Sequence, residues 1–274
     1  MTASADRSVR CGFIGLGSQG APIARRIVDA GFALTLWARR PESLSPYKET
    51  AARFAGSIAE LGMESDHVGI CVVNDDDVRQ VCETLIPAMR PGGCLAIHST
   101  IHPDTARAIA SDAAARLIGV IDAPVSGGSP AAEAGTLTLM LGGDPRVIDA
   151  ARPVFETFGK LIVRVGEIGA GQHAKLINNT LLAANIGLAD AALAAGHNLG
   201  LDIGALVELL LASSGRSFGL EVRGRMPEPS AFAHGASLLN KDVRLLGEVL
   251  GAEHPVFRTM ADPATTFLDT ALKA

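Results

Sequence analysis

Lys175 is the residue of this sequence with the best surroundings for moving a proton. It lies in Gly169-Ala170-Gly171-Gln172-His173-Ala174-Lys175-Leu176-Ile177-Asn178-Asn179, between two apolar neighbours. On a helix, Asn178 and Asn179 at i+3 and i+4 share its face. A lysine held against an apolar face can trade a proton near neutral pH, although a solvated lysine near a helix start satisfies the same pattern. A second segment, Asp122-Ala123-Pro124-Val125-Ser126-Gly127-Gly128-Ser129, joins two adjacent glycines to flanking serines after an apolar run. Exposed backbone N–H groups with a hydroxyl beside them make a cradle for a carboxylate; a plain loop reads as well. Two further lysine and histidine groups are weaker. Lys241 in Asn240-Lys241-Asp242 reads as a solvated helix residue, and His98 and His102 stand at a strand end before Pro103 with no third ligand to complete a metal site.

The strongest spacing lies near the start. Gly15-Leu16-Gly17-Ser18-Gln19-Gly20 follows the strand-like Arg10–Ile14 and precedes the helix-like Ala21–Val28. In a G-x-G-x-x-G turn the first glycine permits the tight turn. The second admits a pyrophosphate to the backbone, and the third lets helix and strand pack closely. The helix N-terminus then offers N–H groups and a partial positive charge to the phosphates. About 20 residues on, where a carboxylate would grip the adenosine ribose of NAD, the sequence has Arg39 and Arg40 after Trp37-Ala38. An arginine fork suits a 2′-phosphate, so NADP is the expected cofactor, with NAD possible; a solvated pair on a loop is the alternative.

The elements that must position these residues follow from the apolar pattern. Leu34–Trp37, Val68–Val73, Cys94–Ile97, Leu117–Ile121, Thr136–Leu141 and Leu161–Val163 read as strands, and Asp76–Met89 and Asp104–Arg116 as helices between them. Alternating strand and helix predicts an α/β doubly wound sheet, a Rossmann fold. After Gly169 only helices are predicted: a long one from Gln172 to Asn198, then Ile203–Ala212, Ala236–Leu250 and Pro263–Leu272. The expected division is a dinucleotide-binding domain over 1–166 and an all-helical domain over 167–274 for substrate and oligomerisation, with the long helix between them.

The chain has 274 residues, 48% of them hydrophobic, and a net charge of −5, which argues against a nucleic-acid or anionic-membrane surface. The opening Met1–Arg7 lacks the apolar core of a signal peptide, and Asn185 and Asp190 interrupt the most apolar stretch. Cys11, Cys71, Cys82 and Cys94 have no C-x-x-C spacing and read as reduced buried thiols. A soluble, cytoplasmic protein is expected.

Four motifs in order, namely the Gly15 loop, Asp122–Gly128 with Gly135-Thr136-Leu137, Gly169–Asn179, and Lys241-Asp242, resemble those of the β-hydroxyacid dehydrogenase family from Gly12 to about Leu246. That family includes 3-hydroxyisobutyrate dehydrogenase and tartronate semialdehyde reductase. The resemblance implies hydride transfer between NAD(P) and the β-carbon of a small 3-hydroxy acid or semialdehyde. It implies Lys175 as the general acid/base, Ser126, Gly127, Gly128 and Asn179 as substrate contacts, and Asn74, Thr100 and Lys241 as contacts of the nicotinamide cofactor. A homodimer or homotetramer is implied as well, and the apolar residues of the long helix, too many for one stripe, point the same way. Ser18-Gln19, His98 and Ala131 depart from the family pattern, and Phe232–Asn240 is longer than usual. An imine or ketone reductase of the same architecture usually lacks the lysine. A non-catalytic dinucleotide-binding relative would lose both the lysine and the Ser126 loop.

Overall fold

The structure, a computed structural model, describes residues 8–273; the Met1–Arg7 segment lies outside them. By packing, the chain forms two compact units, one through Lys175 and one from Leu176 onward.

In the first unit β1 (Cys11–Ile14), α1 (Gly20–Asp29), β2 (Leu34–Trp37), β3 (Arg53–Phe54), α2 (Ile58–Glu64), β4 (His67–Ile70), α3 (Asp75–Ala88), β5 (Cys94–Ile97), α4 (Pro103–Ala114) and β6 (Gly119–Asp122) follow one another. The strands lie in the order β3-β2-β1-β4-β5-β6, all parallel, so their carboxyl ends share one edge of the sheet. Strand order reverses direction at β1, next to β4. Every residue of β1 and β4 is buried, as expected of strands covered on both faces. Alternate residues feed opposite cores: Phe13 joins Ile23, Ile27 and Phe155 on one face, Ile14 joins Val68, Ile70 and Leu85 on the other.

After β6 the chain leaves the parallel pattern. β7 (Val125–Ser126) and β8 (Leu137–Gly142) pair antiparallel, with α5 (Gly128–Ala134) between them. β8 is also antiparallel to β6 at Asp122–Gly142, and β9 (Gly159–Gly166), reached through α6 (Pro145–Phe155), pairs parallel to β8. The sheet is therefore mixed, not wholly parallel.

α7 (Ala170–Asn198) passes from the first unit into the second, where α8 (Ile203–Ala212), α9 (Phe218–Gly224), α10 (Ala233–Leu250) and α11 (Pro255–Leu272) follow. Leu176, Ala183 and Ile186 of α7, Leu239, Val243 and Leu246 of α10, and Phe257, Phe267 and Leu268 of α11 form the core of this unit. Gly187 lies against the Pro263 carbonyl so closely that a Cβ has no room, which brings α7 and α11 into backbone contact. By length and composition alone α7 could cross a membrane, but Leu176, Ala183 and Ile186 are buried in this core.

Several boundaries differ from the sequence reading. α11 starts at Pro255, not Pro263, because His254 caps it through Nδ1, which accepts from the Val256 N–H (3.2 Å). Pro263 is carried inside the helix. Leu117 has φ 59°, a left-handed conformation, and β6 therefore begins only at Gly119. β4 ends at Ile70 rather than Val73. β3, α2, β7, α5 and α9 were not foreseen; each has seven residues or fewer, too short for periodicity to show.

One carboxylate ties the sheet to α7. Asp122, fully buried at the end of β6, accepts from the N–H of Gly169 (2.8 Å) through Oδ1 and from the N–H of Gln172 (2.7 Å) through Oδ2. Burial raises its carboxyl from 3.8 to about 6, against the pull of the backbone N–H groups toward the ionised form. A folded-state value above the unfolded one means that this group's contribution is full below pH 3.8 and is lost as pH rises through 6. The stability of the native protein relative to Asp122→Asn, which does not titrate, is expected to fall by on the order of 3 kcal/mol between pH 4 and 7. Urea midpoints of both proteins across that range check it, and a difference that stays flat or widens with pH would refute it.

Candidate active site

The glycine loop sits at the carboxyl edge beside the reversal of strand order, where ligands of doubly wound sheets bind. Gly15 has φ 97°, and a side chain there would strike the Cys71 carbonyl; one at Gly20 would strike the Gly15 carbonyl. Gly17 is different. Beyond its chain neighbours nothing in the described protein lies within 4 Å of where its Cβ would stand, so the backbone is open to approach at this point. Gln19, the N-cap of α1, makes no side-chain cap and the first turn has no acid. α2, α3 and α4, by contrast, are capped by Ser57, Asn74 and His102. A nucleotide pyrophosphate fits such an end. Leu16 and Ser18 complete the loop, Ser18 exposed and Leu16 leaning on the core.

A cavity of about 300 Å³ opens beside the loop. Gly15, Leu16 and Gly17 form one wall, Trp37, Val72 and Val73 give apolar surface, and Arg39 and Arg40 stand at its rim. Arg39 Nη1 lies 3.4 Å from Oδ1 of Asp77, a lining residue supplied by α3. An apolar slot with two guanidinium groups suits an adenosine carrying a 2′-phosphate.

Further along the edge, Asn74 is the N-cap of α3, its Oδ1 accepting from the Asp77 N–H (2.9 Å). Thr100 follows β5 in a half-buried position. The segment around it is held from several sides. Ser99 Oγ accepts from the Val72 N–H (2.8 Å), and Asp75 Oδ1 accepts from the His102 N–H (2.9 Å) and the Thr105 hydroxyl (2.6 Å). Gln172 then clamps it: Oε1 accepts from the Ile101 N–H (3.1 Å), and Nε2 donates to the Ser99 carbonyl (2.9 Å).

His98 and His102 part company. His98 is buried, stacked on Phe13 with its Nδ1 2.9 Å from the Ala123 carbonyl, and burial lowers it to about 4, so it is neutral at physiological pH. His102 Nδ1 instead caps Asp104. Among the described residues no group of three or more metal-ligating side chains occurs. The cysteines are free thiols pushed up to about 12 by burial.

Ser126 ends β7, half-buried, opposite Thr138 of β8. Gly127 (φ 128°) and Gly128 (φ 69°) hold backbone conformations that other residues rarely adopt. Lys175, 9% exposed, comes three residues after the clamped Gln172, on the first two turns of α7. In the second unit, Asn179 accepts from Asn178 Nδ2 (3.0 Å) and donates through Nδ2 to Asp242 Oδ2 (2.5 Å), while Lys241 Nζ lies 3.4 Å from Asp242 Oδ1. The anchoring roles of Asp122, Gln172 and Asp242 are not legible from spacing alone; the one trace of them in the sequence is that each lies inside a motif that also holds a candidate site residue.

Comparison with known proteins gives the same picture. Residues 10–167 match the NAD binding domain of 6-phosphogluconate dehydrogenase, and residues 169–273 the family described as NAD-binding of NADP-dependent 3-hydroxyisobutyrate dehydrogenase. The NAD-dependent L-serine dehydrogenase of Pseudomonas aeruginosa is 39% identical over 226 residues, 78% of this chain and 73% of that protein. The 3-hydroxyisobutyrate dehydrogenase of the same organism is 35% identical over 252 residues, 85% and 82% of the two chains. The solved structure of 3-hydroxyisobutyrate dehydrogenase from Mycobacterium tuberculosis with L-serine superposes with a TM-score of 0.84 at 29% identity, covering 96% of this chain and 95% of that one. With a dinucleotide loop that leaves room for a pyrophosphate and a lysine-bearing helix anchored to the same sheet, the chain belongs to the β-hydroxyacid dehydrogenase family and is an NAD(P)-dependent hydroxyacid oxidoreductase.

Proposed function

We propose that the protein transfers hydride at the β-carbon of a small 3-hydroxy acid or its semialdehyde, of the 3-hydroxyisobutyrate, serine or tartronate semialdehyde type. In this reading residues 1–166 bind the dinucleotide, and residues 167–274 serve substrate and assembly, in a soluble cytoplasmic enzyme. The observation that carries it is the coupling of a near-fully buried Lys175 to the sheet through Asp122 and Gln172. The nicotinamide, when bound, accepts or supplies the hydride. Lys175 Nζ takes the hydroxyl proton in oxidation and returns it to the carbonyl oxygen in reduction. Ser126 Oγ and the N–H groups of Gly127 and Gly128 hold the substrate carboxylate. Asn179 uses Oδ1 and one Nδ2 hydrogen internally, and the second Nδ2 hydrogen is left to orient the substrate oxygen. Asn74, Thr100 and Lys241 contact the nicotinamide half of the cofactor. The loop from Gly15 through Leu16, Gly17, Ser18 and Gln19 to Gly20 wraps the pyrophosphate.

Lys175→Ala is expected to lower kcat by about 10²–10⁴-fold, the usual effect of removing a positioned acid/base, with cofactor binding retained. Steady-state kinetics with a panel of 3-hydroxy acids and semialdehydes, followed at 340 nm, check this. Near-normal turnover would demote Lys175 to a structural residue and favour an imine or ketone reductase.

Arg39 and Arg40 favour NADP over NAD. Arg39→Asp is expected to reverse or level that preference, read as the ratio of kcat/KM for the two cofactors. A wild-type protein that prefers NAD would sink the arginine reading.

An exposed apolar stripe on α7 supports assembly into a homodimer or homotetramer. Leu176, Ile186 and Leu193 are buried, but Ile177, Leu181 and Leu188 are 47%, 50% and 58% exposed, and their four- and seven-residue spacing makes one apolar stripe. A second copy of the chain is the proposed cover. Light scattering after size-exclusion chromatography should give a multiple of the 28.3 kDa chain mass, and Leu181→Lys should shift it toward the monomer. A native monomer at micromolar concentration would exclude this assembly.

A further inference from the structure

The arginine pair does not stand alone at the ribose end of the cavity. Asp77, the third residue of α3, brings a carboxylate to the same wall, 3.4 Å from Arg39 Nη1 and only 19% exposed, whereas the Arg39 side chain is 73% exposed. The end of β2 carries no carboxylate; the fold supplies one from another element, 38 residues further along the chain.

We infer that Asp77 is a specificity-determining residue that tempers the preference for a 2′-phosphorylated nucleotide and keeps the unphosphorylated one usable. The inference rests on the reading of Arg39 and Arg40 as the 2′-phosphate site. Three features carry it. Asp77 is the less exposed partner and its backbone N–H is fixed by the Asn74 cap, so it stays in the wall, while the exposed guanidinium is free to swing. A 2′-phosphate held by Arg39 would sit within a few ångströms of a carboxylate in a partly desolvated cavity, where like charges repel more strongly than in water. It would also compete with Asp77 for the same guanidinium. A bare ribose meets neither difficulty, since its hydroxyls can donate to a carboxylate. Arg39 is thus shared between an internal anion and a ligand anion, and the ratio of the two cofactors' affinities reflects that competition.

Trp37, the only tryptophan in the chain, lines the same cavity, so binding can be followed by its fluorescence without turnover. The probes are 2′,5′-ADP, which carries the 2′-phosphate, and 5′-AMP, which lacks it. Asp77→Asn keeps a side-chain oxygen for Arg39 and removes the charge. It is expected to raise the Kd ratio of 5′-AMP to 2′,5′-ADP about tenfold. The ratio of kcat/KM for NADP over NAD should rise with it, through KM with little change in kcat. A ratio that stays within twofold of the native value, or falls, would overturn the inference. A fall would mean that Asp77 steers Arg39 onto the phosphate instead of competing with it. Arg39→Ala separates the two layers. If it lowers the native ratio while Asp77→Asn changes nothing, the Asp77 inference alone fails; if it leaves the ratio untouched, the arginine reading fails and takes this inference with it.

Discussion

The buried Asp122 carboxylate is the constraint on which the placement of the chemistry depends. It closes β6, and its two oxygens take the N–H groups of Gly169 and Gln172 at the point where α7 begins. Those donors would otherwise lack partners at a buried helix start. Gly171 has to be glycine here, since any Cβ would run into the Met140 and Asp122 carbonyls. From that anchored turn Gln172 reaches to the segment after β5 and binds both the Ile101 N–H and the Ser99 carbonyl. One helix start is therefore fixed against two strands. The lysine three residues on is carried by the helix start that these bonds fix.

The cost of this arrangement is visible in the titration of Asp122. A carboxylate with several N–H donors would ordinarily ionise below the usual range, but full burial outweighs them and raises it to about 6. Desolvation wins over hydrogen bonding because the donors are backbone dipoles, not a full counter-charge. The Arg10–Asp66 pair shows the other balance. It is partly exposed and bonded to a guanidinium, and Asp66 is held below its ordinary value chiefly by that hydrogen bond. The fold uses charge pairs at its surface and, inside, a carboxyl held by backbone N–H groups with no counter-charge.

Much of this was legible in the sequence, and what was not has a physical reason. The glycine loop could be read because Gly15 and Gly20 each answer a steric demand of the protein, while Gly17 leaves the backbone open. The long α7 could be read because its apolar character persists over 29 residues. Arg39 and Arg40 were found because they follow a strand at a fixed distance from the loop. Asp77 was missed because only the fold brings α3 to the same wall. The mixed pairing of β7, β8 and β9 was not legible because an apolar run such as 136–141 or 161–163 carries no mark of strand direction and β7 has only two residues. α11 reads short because an interior Pro263 looks like a start. Local chemistry could be read from spacing, whereas partnerships across 38 to 73 residues needed the structure, as with Arg39 and Asp77 at the near end of that range and Gln172 and Ser99 at the far end.

The Asp122 joint also says where the chain can tolerate changes of length. Its bonds span 47 and 50 residues, bracketing everything from β7 to β9. Insertions or deletions in the turns of that excursion leave the two ends of the bracket where they are. Between Gln172 and Lys175 there is no such freedom: one residue more or less would rotate the lysine by about 100° around the helix axis. Drift in length should thus be tolerated in the turns of the bracketed excursion, whereas the short run from Gly169 to Lys175 should keep its count through any divergence that preserves the chemistry.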